Sequence, residues 1–220
     1  PDHAGERKKA NPEKSFSVNV EGTRNILEAA KKYGTKVVVV STCMVYDAAD
    51  GPINETSHTN PKSPYAESKL RAENLALEYH QKNNLPVIVL RPFNTYGPYQ
   101  RNDAEGGVVS IFMKNVLGNK PINIFGSGEQ TRDLLYVEDC AAFILEAALS
   151  NDAVGQTINA GTGREISINQ LAKMISNNNE IRHVAHPHPG SEIMRLVCDY
   201  SKAEKLLGWQ PKISLEDGIK

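Results

Sequence analysis

The sequence predicts an α/β fold in which a doubly wound parallel sheet is joined to a small C-terminal α/β lobe. Two short apolar runs, at residues 37–40 and 85–90, have the continuous hydrophobicity of strands that are covered on both faces. A helical pattern over residues 63–82 separates them. Strand, helix and strand at these spacings form a βαβ unit, so we expect neighbouring parallel strands of a Rossmann-like sheet, joined by a right-handed crossover.

The other elements follow from breakers and apolar periodicity. An amphipathic helix is expected to end at Gly34, and residues 47–60 form a polar surface loop. Further strands are expected around residues 122–125 and 156–160, and further helices over 108–117, 138–148, 167–176 and 201–207. Residues 184–190 are rich in Pro and His and predict a loop. We expect residues 1–93 and about 133–160 to build the sheet domain, and about 94–132 and 161–220 to build the lobe.

Composition narrows the class of protein. A net charge of −1, with Lys and Arg spread along the 220 residues, favours neither nucleic acid nor an anionic membrane as a partner. The apolar runs are too short to span a bilayer, and no signal peptide is visible in the polar first twenty residues. Because Cys43, Cys140 and Cys198 are odd in number and far apart, we interpret them as reduced thiols of a cytoplasmic protein.

The stretch with the clearest chemistry begins the helix over residues 63–82. Ser63 is a good N-cap and Pro64 suits the first helical position, so Tyr65 and Lys69 share one helical face. An ammonium beside a phenol favours the phenolate, so we expect a lowered Tyr65 pKa. Such a pair can take a proton from a sugar hydroxyl while hydride leaves the same carbon. A chance pair on a solvated helix is the alternative.

Two strand ends supply possible partners for that helix. The run at residues 37–40 leads into Ser41 and Thr42, whose hydroxyls can orient a substrate hydroxyl. The second strand leads into a loop that contains Asn94. Ligands of open α/β sheets lie outside the carboxyl ends of the strands, so we expect Asn94 to contact one.

Six motifs occur in the order found in one family. With them the chain resembles the extended short-chain dehydrogenase/reductase family, specifically its NAD(P)-dependent nucleotide-sugar epimerases and dehydratases. The motifs are Asn19-Val-Glu-Gly-Thr23, Ser41-Thr42-x-x-Val45-Tyr46, Ser63-Pro-Tyr65-x-x-x-Lys69, Arg91-Pro-Phe-Asn94-x-Tyr-Gly-Pro98, Phe125-Gly-x-Gly-x-Gln-x-Arg132-Asp133, and Asp199-x-Ser-Lys-Ala with Leu207-Gly-Trp209-x-Pro211. Each is weak alone, whereas six in order are specific.

The resemblance implies catalytic and cofactor-binding roles. Tyr65 would be the acid/base on the sugar 4-hydroxyl, and Thr42 would bond the same oxygen. Lys69 would lower the Tyr65 pKa and bond the nicotinamide ribose. Ser41 and Phe93 would also contact the cofactor, a tightly bound and recycled NAD or NADP.

The resemblance also implies the partners. Asn94, Arg132, Arg195 and Met44 would bind a nucleotide sugar, a UDP- or dTDP-hexose, with guanidinium groups on the pyrophosphate. An ion pair of Arg132 with Asp133 is the alternative for that arginine, and a turn residue is the alternative for Asn94. Apolar helix faces at 21–33 and 70–80 suggest a homodimer, although packing within one core explains them almost as well.

One family feature is missing. The family begins with a strand and a Gly-rich turn that seats the dinucleotide pyrophosphate on a helix N-terminus, and no such turn is found here. We therefore expect that the first part of the cofactor domain is missing from this chain. The acidic residue that separates NAD from NADP would lie in that part, so the choice stays open.

The residues after Thr42 bear on the reaction. In the family's 4,6-dehydratases these two places resemble Asp-Glu, whereas this chain has Cys43 and Met44. A thioether cannot act as a base, but a thiol can act as an acid. Some 5,6-dehydratases of UDP-N-acetylglucosamine resemble this chain in having a cysteine at the first place. We favour dehydration of a UDP-N-acetylhexosamine over 4-epimerisation of a UDP-hexose. Ordinary apolar packing explains the Cys-Met pair equally well.

Three further points remain open. A catalytically silent, nucleotide-sensing binding protein is the alternative from another class, although Tyr65 and Lys69 are present. Asp47 stands where the family usually has glycine, and the sequence offers no reason for it. The histidines at 183, 186 and 188 lie in a Pro-broken stretch without metal-ligand spacing, so we expect no metal site and interpret them as loop residues near the nucleotide.

Overall fold

The structure is a computed structural model that describes residues 12–102, 106–186 and 193–220. Eight α-helices and nine strands are named in these parts of the chain. In chain order they are α1 (Pro12–Phe16), α2 (Gly22–Tyr33), β1 (Val37–Val40), α3 (Pro64–Asn83), β2 (Val87–Pro92), β3 (Asn94–Tyr96), α4 (Val108–Leu117), β4 (Ile122–Phe125), β5 (Thr131–Arg132), β6 (Leu134–Tyr136), α5 (Val137–Leu149), β7 (Thr157–Ala160), β8 (Ile166–Ser167), α6 (Ile168–Ile175), β9 (Ile181–Val184), α7 (Ser201–Leu207) and α8 (Leu215–Ile219).

A parallel sheet with the order β1-β2-β7 lies at the centre. Val38 pairs with Ile88, and Leu90 pairs with Ile158, in parallel register. Helix α3 connects β1 to β2, so the predicted βαβ unit is confirmed. The carboxyl ends of all three strands meet at one edge, where the site residues follow.

Helices cover both faces of this sheet, which confirms the predicted doubly wound architecture. On one face, α2 and α3 pack Leu27 and Ala76 against Val87 and Val89. On the other face, Ile88 and Leu90 pack against residues of α5 and α7, with Phe143, Ala203 and Trp209 in the same cluster. Alternate side chains of β2 therefore serve different cores, as expected of a strand covered on both sides.

The lobe has a core of its own. Strands β4 and β9 pair in parallel, β5 and β8 pair antiparallel, and β3 pairs with β6 beside the main sheet. Phe112 from α4, Ile124 from β4 and Leu171 from α6 lie in the same buried cluster. A sheet flanked by α4 and α6 agrees with the predicted small α/β lobe.

Helix ends follow the predicted capping chemistry. Gly34 closes α2 in the left-handed conformation with φ 65°. Ser63 caps α3 by accepting a hydrogen bond from the Ala66 N–H at 3.2 Å, and Ser167 forms a capping box with Gln170 at the start of α6.

The structure also departs from the predictions. A five-residue π-helical segment, Ser17–Glu21, joins α1 to α2, where a regular helix was expected. Strand β9 ends at Val184, where the predicted loop begins, so His183 lies on a strand and not in a loop. Residues around Trp209, which we assigned to the lobe, pack in the core of the main sheet instead. None of the helices in the described ranges combines the length and apolar character that crossing a membrane requires.

The apolar faces of α2 and α3 are largely used inside this chain. Leu27, Ala30, Ala72 and Ala76 are buried, and three of them pack directly in the cluster below the sheet. Ile26 points away from it and is 60% exposed. Packing within the core therefore accounts for most of the pattern that also suggested a homodimer.

Candidate active site at the carboxyl edge of the sheet

Tyr65 and Lys69 lie on the first two turns of α3, above the end of β1. The Tyr65 side chain is 46% exposed. The Lys69 ammonium donates a hydrogen bond to the Val40 carbonyl oxygen at 2.8 Å, which ties the helix to the strand end. A half-exposed phenol and an anchored ammonium thus share one side of the helix.

Thr42 faces the Tyr65 phenol from the turn that follows β1. Its hydroxyl oxygen accepts a hydrogen bond from the Met44 N–H at 3.2 Å, which caps a single 3₁₀ turn, Cys43–Val45. The Thr42 side chain also lies close enough to the Tyr65 hydroxyl to lower the Tyr65 pKa as a hydrogen-bond partner. A hydroxyl that accepts this backbone bond still has its own proton to donate to a neighbouring oxygen. The structure therefore brings together the two hydroxyls that the sequence assigned to one sugar oxygen.

The predicted lowering of the Tyr65 pKa is wrong for the protein as described. Partial burial is the largest influence and raises the Tyr65 pKa, the nearby Cys43 raises it further, and the bond from Thr42 lowers it. Burial lowers the Lys69 pKa, while the Glu73 carboxylate raises it. The Lys69 ammonium is directed at the Val40 carbonyl, and Lys69 is not among the groups that shift the Tyr65 pKa.

Cys43 is buried directly behind this pair. Its side chain is 2% exposed and lies in a cluster with Val45, Tyr46 and Phe93. Burial raises the pKa of the Cys43 thiol to about 12, so the thiol is neutral near pH 7. Met44 is partly buried and packs on the same cluster. Cys43 thus serves the core and also lies close enough to Tyr65 to affect its ionisation.

Ser41 and Phe93, the other two residues predicted to contact the cofactor, differ in whether they have a free polar group for it. Ser41 is 5% exposed, and its hydroxyl has no hydrogen-bond partner within the described residues. A buried hydroxyl without a partner is available to a ligand group. Phe93 is buried, and its N–H donates to the Ala160 carbonyl at 2.7 Å. This backbone hydrogen bond holds the chain next to β7 just after the end of β2, directly before Asn94.

Asn94 and Arg132 both donate hydrogen bonds to backbone carbonyl groups. The Asn94 amide donates to the Asp133 carbonyl at 3.3 Å. Arg132 donates through one Nη1 to the carbonyls of Thr131 and Ile193, at 2.7 and 2.8 Å. The Asp133 carboxylate accepts instead from the N–H groups of Thr162, Gly163 and Cys198.

Arg195 lies at the rim of the lobe in a fixed position. Its guanidinium binds both carboxylate oxygens of Glu165, with Nε 3.0 Å from each, and also donates to the Asp50 carbonyl. Glu165 accepts a further bond from the Thr131 hydroxyl at 2.6 Å. Arg195 is therefore held by a fork-to-fork ion pair and presents only part of its donor set to a ligand.

Asp47, unexplained from the sequence, holds its own loop together. Its carboxylate accepts from the Ala48 N–H at 2.9 Å and from the Asn60 amide at 3.0 Å, and lies 3.5 Å from the Lys62 ammonium. These contacts join the two ends of the loop that precedes Ser63. The aspartate thus stabilises the approach to α3.

The histidines near the lobe have separate partners. The His183 Nδ1 atom lies 2.9 Å from the Gly126 carbonyl oxygen, and the His186 ring packs edge-on against Phe125 at 6.0 Å between centroids. His188 lies outside the described residues. Among the residues described, no group of three or more His, Cys, Asp or Glu is placed to hold a metal ion.

A buried ion pair behind the site escaped the sequence reasoning. Arg91, at the end of β2, binds the Glu73 carboxylate of α3, and both are almost fully buried. Glu73 lies four positions after Lys69 and eighteen positions before Arg91. The only signal in the sequence was one charged residue on the buried face of α3 and another in the buried strand β2. A buried charge predicts an oppositely charged partner, but the sequence does not identify which residue that is.

The chain is similar to known proteins over most of its length. A family model described as the NAD dependent epimerase/dehydratase family matches residues 3–161. A putative UDP-glucose 4-epimerase of Methanocaldococcus jannaschii is 38% identical over 216 residues, covering 96% of this chain and 69% of its own length. UDP-glucuronic acid decarboxylase 1 of Arabidopsis thaliana is 36% identical, and the matched part covers 96% of this chain and 50% of that protein.

Solved structures show the same fold. The protein called Pal from Bacillus thuringiensis superposes with a TM-score of 0.93 at 54% identity, covering 95% of this chain and 68% of that one. A UDP-glucuronic acid 4-epimerase from Bacillus cereus, in complex with UDP-glucuronic acid and NAD, gives a TM-score of 0.85 at 33% identity, covering 93% and 65%. A dTDP-glucose 4,6-dehydratase from Bacillus anthracis, in complex with NAD, gives 0.85 at 31%, covering 93% and 66%.

Proposed function

The chain belongs to the NAD-dependent epimerase/dehydratase family, and from this premise we propose that it acts on a UDP-hexose by transient oxidation at C4. The cofactor we propose is NAD, since two of the similar solved structures contain it. UDP is preferred to dTDP because the similar epimerase and decarboxylase are named for UDP sugars. This chain spans between half and about two thirds of the lengths of these relatives, so the activity of the whole protein is part of the proposal.

The observation that carries the proposal is the meeting of Thr42, Tyr65 and Lys69 at the carboxyl end of β1. The Thr42 hydroxyl lies near the phenol and lowers its pKa, and the phenol is half exposed, so a ligand oxygen can reach it. Tyr65 would exchange a proton with the sugar 4-hydroxyl, and Thr42 would hold the same oxygen. When bound, NAD supplies a hydride acceptor for C4 that can return the hydride later.

The site residues fit the nicotinamide end of such a cofactor. The Lys69 ammonium has three donors, of which one is used on Val40, so two remain for ribose hydroxyls. The unpartnered Ser41 hydroxyl offers a further polar contact nearby. Arg132 and Asn94 are proposed to bind the substrate pyrophosphate, and Arg195 would add a contact without leaving Glu165.

For the fate of the C4 ketone we propose dehydration, with Cys43 as the proton carrier. A neutral thiol next to Tyr65 and Thr42 supports this role, since an acid must be protonated before it donates. The C5–H and C6–O bonds break, a C5=C6 double bond forms, and the departing hydroxyl takes the thiol proton to leave as water. The C5 proton would restore the thiol, and Tyr65 would return its proton to the C4 oxygen when the ketone is reduced again. The preference for a UDP-N-acetylhexosamine rests on the resemblance to the cysteine-bearing 5,6-dehydratases.

4-Epimerisation of a UDP-hexose is the second candidate, and Met44 favours it. A thioether cannot remove the C5 proton, so dehydration depends on Cys43 for both transfers, whereas epimerisation needs only Tyr65, Lys69 and Thr42. The buried thiol would then serve packing alone. A catalytically silent sensor remains the candidate from a different class.

The mass of the product distinguishes dehydration from 4-epimerisation. UDP-N-acetylglucosamine, UDP-glucose, UDP-glucuronic acid and dTDP-glucose are each incubated with the natural full-length protein and NAD or NADP. We expect loss of one water mass from UDP-N-acetylglucosamine, absent in Cys43→Ala and retained in Cys140→Ala, a matched buried thiol in another cluster. A new sugar of unchanged mass would support epimerisation. No change with any substrate, despite UDP-sugar binding, would support the sensor.

A further inference from the structure

A buried set of polar contacts connects the helix that carries Tyr65 to the end of β2. The Arg91 guanidinium donates from Nε to both oxygens of Glu73, at 3.0 and 3.1 Å, and from Nη2 at 2.5 Å. The two side chains are 8% and 1% exposed. A bidentate pair of this kind fixes both the distance and the angle between the elements that bear it.

The same guanidinium reaches the turn that carries Thr42. The Arg91 Cζ atom lies 4.7 Å from the centre of the Tyr46 ring, and Tyr46 follows that turn. The Tyr46 N–H donates to the Cys43 carbonyl at 3.1 Å, and its hydroxyl donates to Asn159 at 2.8 Å. The edge of the Arg91 guanidinium therefore binds Glu73 of α3. Its flat face packs on the ring of Tyr46, which follows the turn that begins at Thr42.

Glu73 stands two turns after Tyr65 and one turn after Lys69 on α3. Burial lowers the Lys69 pKa, and the Glu73 carboxylate one turn away opposes that shift. Arg91 neutralises the same carboxylate. The contacts of Glu73 therefore influence both the placement of the helix and the charge beside its catalytic lysine.

Stability gives little reason for such a pair. Buried ion pairs lose about as much hydration as they gain in attraction, so apolar residues of similar volume often replace them without loss of stability. The pair joins β2 to α3, the helix that carries Tyr65. This location favours a role in holding the two elements in a fixed relative position. A misplacement of about 1 Å costs about a hundredfold in rate.

We propose that Arg91 is a positioning residue, which holds Tyr65 in register with Thr42 by binding Glu73 on one side and Tyr46 on the other. The inference rests on the proposed function for its effect on turnover. Its effect on the contact between Thr42 and Tyr65 does not depend on any substrate. Two measurements therefore separate the inference from the function.

The main variant replaces the pair with apolar residues, Arg91→Met with Glu73→Leu. We expect the natural full-length protein to keep its melting temperature, to lose about ten- to a hundredfold in kcat, and to keep KM within about twofold. The exposed pair on the same helix, Arg71 with Glu67, is the matched control. Arg71→Met with Glu67→Leu should leave kcat unchanged.

The second measurement is the titration of Tyr65, followed by NMR of its labelled ring carbon. Loss of register weakens the bond from Thr42, so the Tyr65 pKa should rise in the double variant. Arg91→Lys retains the charge without the fork; it should show the same shift, and it replaces the double variant if that one does not fold.

Wild-type kcat together with an unchanged Tyr65 titration in these variants would overturn the inference. If the wild-type protein turns over none of the sugars, the proposed function fails, while the Tyr65 titration still tests the positioning role. A fall in kcat that disappears when the melting temperature is restored by added glycerol would show a merely structural role and would also overturn it.

Discussion

The Lys69 ammonium donates a hydrogen bond to the Val40 carbonyl oxygen, 2.8 Å away, and so joins the helix that carries Tyr65 to the last residue of β1. Thr42 follows that residue by two positions. The strand end therefore sets both the anchor of the helix and the position of the hydroxyl that faces Tyr65. Small changes at this strand end should affect all three groups together.

Tyr65→Phe tests the acid/base role. The change removes one oxygen, so we expect kcat to fall by about a thousandfold while UDP-sugar affinity changes by less than about threefold. Steady-state rates and calorimetric binding measure the two effects. Tyr33→Phe, at a tyrosine that is 73% exposed on α2, is the control. A normal rate in the Tyr65 variant would refute the role.

Thr42→Val tests the orienting hydroxyl. Valine keeps the shape but loses the bond that lowers the Tyr65 pKa, so the phenol should titrate at higher pH than in the wild type. We expect kcat to fall by about ten- to a hundredfold, because the phenolate is less available. Thr42→Ser retains the hydroxyl and should restore both values. An unchanged tyrosine titration in the valine variant would contradict the contact.

The raised pKa of the Cys43 thiol predicts that the free energy of unfolding depends on pH. Its pKa in the folded protein, about 12, lies above its ordinary value of 9.0, so the folded state holds this proton more tightly than the unfolded state does. The resulting stabilisation is complete below about pH 9 and is lost as pH rises towards 12.

Urea unfolding of wild type and Cys43→Ala at several pH values between about 8 and 11 measures this effect. The difference in unfolding free energy between them should shrink as pH rises. Cys43→Ser leaves a group that does not titrate in this range and should follow the alanine variant. A constant difference would contradict the raised pKa.

Asp133→Asn tests the junction between the sheet and the lobe. The buried carboxylate accepts from Thr162 N–H at 2.8 Å, Gly163 N–H at 2.9 Å and Cys198 N–H at 3.0 Å. An amide NH₂ would face some of these donors, so we expect a loss of about 3 kcal/mol in unfolding free energy. Denaturant titration measures it, with the exposed Asp152→Asn as the control. A loss under about 0.5 kcal/mol would contradict the assigned contacts.

Local sequence patterns predicted much of the fold. Gly34, Ser63 and Pro64 fixed helix ends correctly because capping depends on a few neighbouring residues. The valine run correctly indicated strand β1, but only Val37 is buried and Val40 is exposed, because β1 lies at the edge of the sheet β1-β2-β7. The π-helical segment at 17–21 has no such signal, since it depends on how the helix packs on α3.

The site was predicted less completely than the fold. Motif order indicated Thr42, Tyr65 and Lys69, and the structure brings them to one strand end. The direction of the Tyr65 pKa shift was wrong because sequence spacing says that two groups share a helix face, but not which carbonyl attracts the ammonium. The Arg91–Glu73 pair was missed because its partners are remote in sequence and meet only after the sheet and α3 have packed.

The lobe draws its buried side chains from stretches around residues 96–136, 166–181 and 215–219, and the intervening α5, β7 and α7 belong to the other core. A recombinant hybrid that borrows this lobe from a relative therefore cannot be made with one splice. Such a hybrid needs several sequence junctions at once. Asp133 and the residues whose N–H groups it binds, Thr162, Gly163 and Cys198, must come from the same parent protein.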